Sequence, residues 1–214
     1  MILCFLTFAR QILHPLHMIN IAIFASGSGT NAQRITEYFL ERKTCSVDLI
    51  LSNNKDAYVL ERARALGIST VTFNRQEFYD TPSVADLLKA HSIDYIILAG
   101  FLWMVPDNLL LRYPGRILNI HPALLPKYGG KGMYGMKVHE SIISNNDKVS
   151  GITIHLVNDR YDEGRILFQA KCTIEETDTP LSLANKIHIL EYRYFPLVIE
   201  NYILKGTPFT ELSE

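Results

Sequence analysis

The sequence predicts an α/β fold, with a doubly wound parallel sheet covered by helices. Three observations carry this expectation. Short apolar runs alternate with helical segments through the first half of the chain. One run, Tyr95-Ile96-Ile97-Leu98-Ala99, is apolar on both faces, as are strands buried between helix layers. The first run ends in Ser26-Gly27-Ser28-Gly29-Thr30-Asn31, a glycine-rich turn between a strand and a helix.

The elements follow in order. Asn20 to Ala25 (NIAIFA) reads as the first strand and Ala32 to Leu40 as the first helix. Leu49 to Leu51 is a second strand, stopped by Ser52-Asn53-Asn54. Ala57 to Leu66 is helical and is closed by Gly67, a common residue past a helix end. Ile68 to Phe73 is a third strand, and a helix over Ser83 to Ala90 leads to the apolar run at 95–99. Ile117 to Ile120 is a further strand, followed by a Gly- and Pro-rich loop from His121 to Gly135. A loop of that length often serves function. Val138 to Ile143 is a short helix, Gly151 to Val157 and Ile166 to Cys172 are strands, and Ser182 to Leu204 is a long helix with Pro196 expected to kink it. Without repeats or linkers, residues 18–214 are expected to form one domain.

Residues 1–17 stand apart. Met1 to Ala9 is apolar, but it is too short to span a bilayer and lacks the basic start and cleavage site of an export signal. Met18 stands directly before the first strand. The expectation is a dispensable extension, so that a chain beginning at Met18 folds and turns over normally.

Bulk properties narrow the function. Of 214 residues, 48% are apolar and 20% charged, the profile of a soluble globular protein, and the net charge of -1 gives no footprint for nucleic acid. An anionic ligand must then be held by a local site. Cys4, Cys45 and Cys172 have no framework or CxxC spacing, which fits a reducing, cytoplasmic compartment and suggests neither disulfides nor zinc. His121, His139, His155 and His188 are too scattered for a metal signature, and no GxSxG elbow is present.

Three motifs could carry chemistry. The 26–31 turn has two readings, a phosphate site at a helix N-terminus or a tight turn capped by Thr30 or Asn31. It lacks the third glycine of GxGxxG and the lysine of a Walker loop. Asn119 and His121 lie two residues apart at a strand end and therefore share a face, presenting an amide and an imidazole suited to an oxyanion in acyl transfer. Asp162, in Tyr161-Asp162-Glu163-Gly164, would raise the pKa of a neighbouring imidazole. Spacing alone does not bring it to His121, and a solvated turn is the alternative.

The ordered set SGSGTN (26–31), LSNN (51–54), LERARALG (60–67), LAGF (98–101), LNIHPALLPKY (118–128), GITIHLV (151–157), DEG (162–164) and LEYRYFPLVI (190–199) closely resembles the folate-dependent phosphoribosylglycinamide formyltransferases. The likeness runs from about Asn20 to Ile203. It implies a Rossmann-like formyltransferase fold, a mostly parallel twisted sheet flanked by helices. It further implies metal-free transfer of a formyl group from 10-formyltetrahydrofolate, a co-substrate, to a glycinamide amine. By the same resemblance Asn119, His121 and Asp162 are catalytic, with His121 kept protonated by Asp162 and His155 supporting them. Gly29, Thr30 and Asn31 bind the substrate phosphate, and His188 and Glu191 help hold the glycinamide substrate. Leu102, Trp103, Met104 and Val105, with Asn119, line the folate pocket. Met-Arg-Ile-Leu is the common sequence at 102–105, so Trp103 replaces an arginine. The loop Gly129 to Met136 is longer and richer in glycine than in many relatives. The implied partners are small molecules, with no nucleic acid or membrane, and the protein is expected to be a monomer or homodimer. The rivals are formyl-folate hydrolase, methionyl-transfer-RNA formyltransferase and a non-catalytic module binding a phosphoribosyl ligand. The first two normally carry an added domain.

Overall fold

The computed structural model describes residues 18–210; the expected extension at 1–17, and Cys4 with it, lies outside the described residues. Seven strands form one sheet: β1 (Ile19–Phe24), β2 (Cys45–Ser52), β3 (Ser69–Thr72), β4 (Tyr95–Leu98), β5 (Ile117–His121), β6 (Val149–Leu156) and β7 (Ile166–Thr173). Their spatial order is β3-β2-β1-β4-β5-β6-β7. The first five run parallel, and β6 and β7 are antiparallel to their neighbours.

Alternation along the strands divides the core in two. Ile21 and Ile23 of β1 point to one face, where they meet α1 (Thr30–Arg42), α2 (Val59–Ala65), α6 (Met136–Ser144) and α7 (Pro180–Lys205). Ala22 and Phe24 point to the other, against α3 (Arg75–Tyr79), α4 (Ser83–Ala90) and α5 (Asp107–Arg112). Phe24, Phe39, Phe78 and Phe195 are among the large side chains removed from solvent, each contributing roughly 1.5–3 kcal/mol by burial. α7 opens with a capping box between Thr179 and Ser182 and Pro180 in its first turn, then continues past Pro196 to Lys205.

Two expectations need correction. β2 begins at Cys45 rather than Leu49, because the half-exposed Ser46 and Asp48 interrupt the apolar run while Cys45 and Val47 face the core. The helices α3 and α5 add to the elements the sequence predicts. Each is short and buries a single apolar side chain, Phe78 or Leu109, too little to make a periodic pattern. α3 nevertheless has a local signal: the Asn74 side chain accepts from Glu77 N–H (2.9 Å), and the Glu77 carboxylate accepts from Asn74 N–H (2.7 Å).

The strand order reverses at β1 and β4. Ligands of open α/β sheets bind at such a point, beyond the carboxyl ends of the strands. The 26–31 turn leaves β1 there, the 99–105 segment leaves β4, and His121 ends β5.

Candidate active site

A cleft of about 680 Å³ opens at this point. All the candidates line it: Gly29, Thr30, Asn31, Leu102, Trp103, Met104, Val105, Asn119, His121, His155, Asp162, His188 and Glu191.

At one end is the start of α1. Gly29 is its N-cap, in a left-handed conformation (φ 74°), and no side chain caps the helix. The capping alternative for Thr30 and Asn31 is thereby overturned: both lie inside the helix, and their first-turn N–H groups have no carbonyl a turn earlier to bind. They face a cleft, favourably placed for an anion. The turn is held from behind by α2, since Val59 N–H donates to the Gly27 carbonyl (3.1 Å) and Arg62 Nε to the Ser28 carbonyl (2.9 Å). Its need for glycine at 29 has a different cause from close anion approach. A Cβ there would lie 2.3 Å from Val59 Cγ2 and 2.7 Å from Val59 Cα. Gly29→Ala is therefore expected to strain the backbone and push α2 away, lowering stability by about 2 kcal/mol or more and weakening both substrates together. Thermal melting beside the two Michaelis constants checks this; loss confined to a phosphorylated substrate with unchanged melting would contradict it.

α7 closes the same end. Glu191, 5% exposed, accepts from Asn31 Nδ2 (2.9 Å) and from His188 Nδ1 (2.8 Å) through one oxygen, Oε2. The hydrogen bond to Glu191 raises the His188 pKa against the opposing effect of burial, so positive charge is favoured beside the α1 terminus. The His188 ring also stacks on Tyr192 (centroids 5.8 Å apart), over which Arg34 lies at 5.6 Å.

The second group stands at the end of β5. Antiparallel register places Asn119 opposite His155 and His121 opposite Thr153. His155 Nδ1 donates to the Leu156 carbonyl (2.8 Å), so in the neutral ring Nε2 accepts from Asn119 Nδ2 (3.0 Å). One Asn119 N–H is thus anchored and the other remains for a ligand. His121 Nε2 donates to the Tyr128 carbonyl (2.7 Å), leaving Nδ1 facing Asp162 Oδ2 at 3.5 Å. Asp162 Oδ1 is 3.6 Å from His155 Nε2, and Oδ2 accepts from Gly130 N–H (2.9 Å). Asp162 is no solvated turn residue: it sits at φ 57° with its side chain 12% exposed, drawn into the cleft by these contacts.

The protonation of this group departs from what the resemblance implied. Burial lowers the His121 pKa from its ordinary 6.5; Asp162 and the Tyr128 carbonyl pull it upward but do not overcome desolvation. Unliganded His121 is therefore mainly neutral at neutral pH, not held charged. Burial pushes the Asp162 carboxyl up, but His155, His121 and the Gly130 N–H together outweigh it and hold it below the usual value. The unliganded pair is a neutral imidazole beside a carboxylate.

The third wall is the segment after β4. Leu102 N–H donates to Ser26 Oγ (3.0 Å) and the Met104 carbonyl accepts from Tyr79 O–H (2.9 Å), tying the segment to the turn and to α3. Trp103 packs among Phe73, Phe78 and Tyr79, with centroids 5.8–6.0 Å apart. Trp103 makes this wall aromatic.

Sequence reasoning missed His139 as a lining residue. It is 3% exposed, on α6, and its buried Nδ1 has no hydrogen-bond partner. The signal available was its place one residue after apolar Val138 in a helix following the glycine-rich loop. Among the described residues no three His, Cys, Asp or Glu side chains gather as a metal site would require, no helix is long and apolar enough to cross a membrane, and Cys45 and Cys172 are free.

A doubly wound sheet whose switch-point cleft joins an anion-ready helix start to an Asn–His–Asp group has the layout of a group-transfer enzyme. The chain matches the formyl transferase family over residues 19–199, and it belongs to that family. Its relatives are more particular. It is 40% identical over 185 residues to the chloroplastic phosphoribosylglycinamide formyltransferase of Arabidopsis thaliana, covering 84% of this chain and 63% of that protein. It is 33% identical over 191 residues to phosphoribosylglycinamide formyltransferase of Bacillus subtilis, covering 87% and 95%. Among solved structures, glycinamide ribonucleotide transformylase 1 from Symbiobacterium toebii superposes with a TM-score of 0.81 at 34% identity, covering 92% of each chain. The chain thus spans less than two thirds of the plant relative but nearly the whole of the bacterial ones.

Proposed function

We propose that this protein transfers the formyl group of 10-formyltetrahydrofolate to the amine of 5-phosphoribosylglycinamide, a step of purine synthesis, in the cytoplasm and without a metal. The observation that carries the reading is that one cleft holds the α1 terminus with His188 and Glu191 at one end and Asn119, His121 and Asp162 at the other. The phosphate sits on the Thr30 and Asn31 N–H groups, near the His188 charge. Glu191, polarised by Asn31 and His188, accepts from the sugar or glycinamide. The folate lies along Leu102 to Val105, with Trp103 as an apolar wall.

In this reading the amine attacks the formyl carbon and the carbonyl oxygen becomes an oxyanion. The free Asn119 N–H stabilises that oxygen, a charge absent from the ground state. The amine gains positive charge as it attacks, and its proton passes to His121 Nδ1, the unprotonated nitrogen facing Asp162. The Asp162 carboxylate stabilises the imidazolium so formed. Collapse of the intermediate breaks the bond from carbon to the folate nitrogen, which takes the proton from His121. The products are the formylated glycinamide and tetrahydrofolate, with His121 neutral again. A neutral resting imidazole suits this role better than a permanently charged one, because a base must begin unprotonated.

Turnover with 10-formyltetrahydrofolate and 5-phosphoribosylglycinamide tests the reading. Formylated product and tetrahydrofolate should appear in equal amounts and persist in chelator. Hydrolysis of the folate to formate, without dependence on the amine, would replace it with the hydrolase reading.

A further inference from the structure

The segment Tyr128-Gly129-Gly130 touches both members of the His121–Asp162 pair. The Tyr128 carbonyl accepts from His121 Nε2 (2.7 Å), and two residues later Gly130 N–H donates to Asp162 Oδ2 (2.9 Å). Three consecutive residues thus present an acceptor to the imidazole and a donor to the carboxylate. Between them, Gly129 packs closely, since a Cβ would lie 2.6 Å from the movable Leu125 Cδ2 and 3.2 Å from Asp162 Cβ, so that a side chain there would press on the carboxylate residue itself.

Such a strap must be held by something, because Tyr128 sits at φ 57°. A non-glycine residue keeps that conformation where its surroundings impose it. The surroundings are on the turn between α6 and β6. Tyr128 O–H donates to Asp147 Oδ2 (2.9 Å) and accepts from Asn145 Nδ2 (2.9 Å). Lys127 Nζ lies 3.1 Å from Asp147 Oδ2 and 3.3 Å from Oδ1. Hydrogen bonds from Lys127 and Tyr128 hold the Asp147 carboxyl below its usual range, so it stays an acceptor near neutral pH. The turn itself is fixed by α6, whose Val138 and Ile142 are fully buried against the core.

We propose that Tyr128, anchored through its hydroxyl by Asp147 and Asn145, is a positioning residue that fixes the tautomer of His121 and the distance between His121 and Asp162. With Nε2–H committed to the Tyr128 carbonyl, the neutral ring keeps its lone pair on Nδ1, toward Asp162 and the cleft. Release of the anchor lets the strap move, and the ring then distributes its proton over both nitrogens. Asp147, on the far side of the tyrosine from the cleft, acts on the reaction only through this chain of contacts. The inference about rate rests on the proposed formyl transfer, whereas the inference about the ring does not.

The test uses the whole chain with ring-labelled histidine. Nitrogen NMR should show neutral His121 protonated at Nε2 in the wild type. Tyr128→Phe removes only the hydroxyl, and Asp147→Ala removes its partner. Both should give a tautomer mixture at His121 and lower kcat about tenfold, with both Michaelis constants within about twofold, a smaller loss than the roughly hundredfold that a 1 Å misplacement brings. Asp147→Asn keeps an acceptor for the hydroxyl and should restore the single tautomer and at least about half of kcat. The double variant Tyr128→Phe/Asp147→Ala should be no slower than either single change, since one path is broken once. If either variant fails to fold, Asn145→Ala, which loses one exposed contact, should show the same tautomer change to a lesser degree. An unmoved His121 tautomer and kcat per folded molecule, even with a lower melting temperature, overturns the proposal. A wild type that does not use formyl-folate defeats the reaction instead, and the NMR result still decides the strap.

Discussion

His121→Asn should lower kcat by about 10² to 10⁴, the usual contribution of a general acid–base group, with the fold and both Michaelis constants nearly unchanged. The position allows this separation. The side chain is buried at the end of β5, and its Nε2–H serves the Tyr128 carbonyl. An asparagine amide ends near the place of Nδ1, short of that carbonyl, and brings no titratable nitrogen toward Asp162, while the strap keeps its own anchor through the Tyr128 hydroxyl. The proton released by the attacking amine then has no imidazole to receive it. Steady-state kinetics beside a melting curve decide the point, and a kcat within about threefold of wild type would remove His121 from the reaction. Asn119→Ala should also be slow, for another reason: it takes away the oxyanion donor and leaves His155 Nε2 without its 3.0 Å partner.

The fold was legible where apolar runs were long and uninterrupted, as in Tyr95-Ile96-Ile97-Leu98, and where a glycine closes a helix, as at Gly67. It was not legible at α3 and α5, whose five or six residues bury one side chain each and are too short to show a helical period. The candidate site divides in the same way. Asn119 and His121 share a strand face, which a period of two already states. Their link to His155 depends on β5–β6 register, and their link to Asp162 on a residue at φ 57°; both arise from tertiary structure. The reason for Gly29 was also hidden. Its hydrogen atom faces Val59 of another helix, and no pattern around residue 29 announces that neighbour. Protonation was the least legible property, because the resemblance carried the Asp162 charge but not the burial that outweighs it.

Asp162→Asn tests that balance directly. The substitution keeps the shape of the side chain, and the amide oxygen still accepts from Gly130 N–H, but the negative charge 3.5 Å from His121 Nδ1 is gone. Asp162 is one of the influences that raise the His121 pKa, so its loss leaves desolvation less opposed, and the pKa should fall further below 6.5. The imidazolium formed during transfer loses its counter-charge, and kcat should fall by about 10². Stability should respond with a definite sign. A histidine with a depressed folded pKa contributes stability that is complete above the unfolded value near 6.5 and is lost as pH falls through the folded value. Lowering that folded value extends the loss deeper into acid. Asp162 itself stays ionised from pH 8 to 5 in the folded protein, its pKa being depressed below 3.8, so over this interval the difference between variant and wild type reports His121. The drop in melting temperature from pH 8 to pH 5 should therefore be larger in Asp162→Asn, and proton NMR of the ring should show the lowered titration. An unchanged or raised His121 pKa would mean that the two groups do not interact, and the role given to Asp162 would fall while the Asn119 oxyanion site could stand.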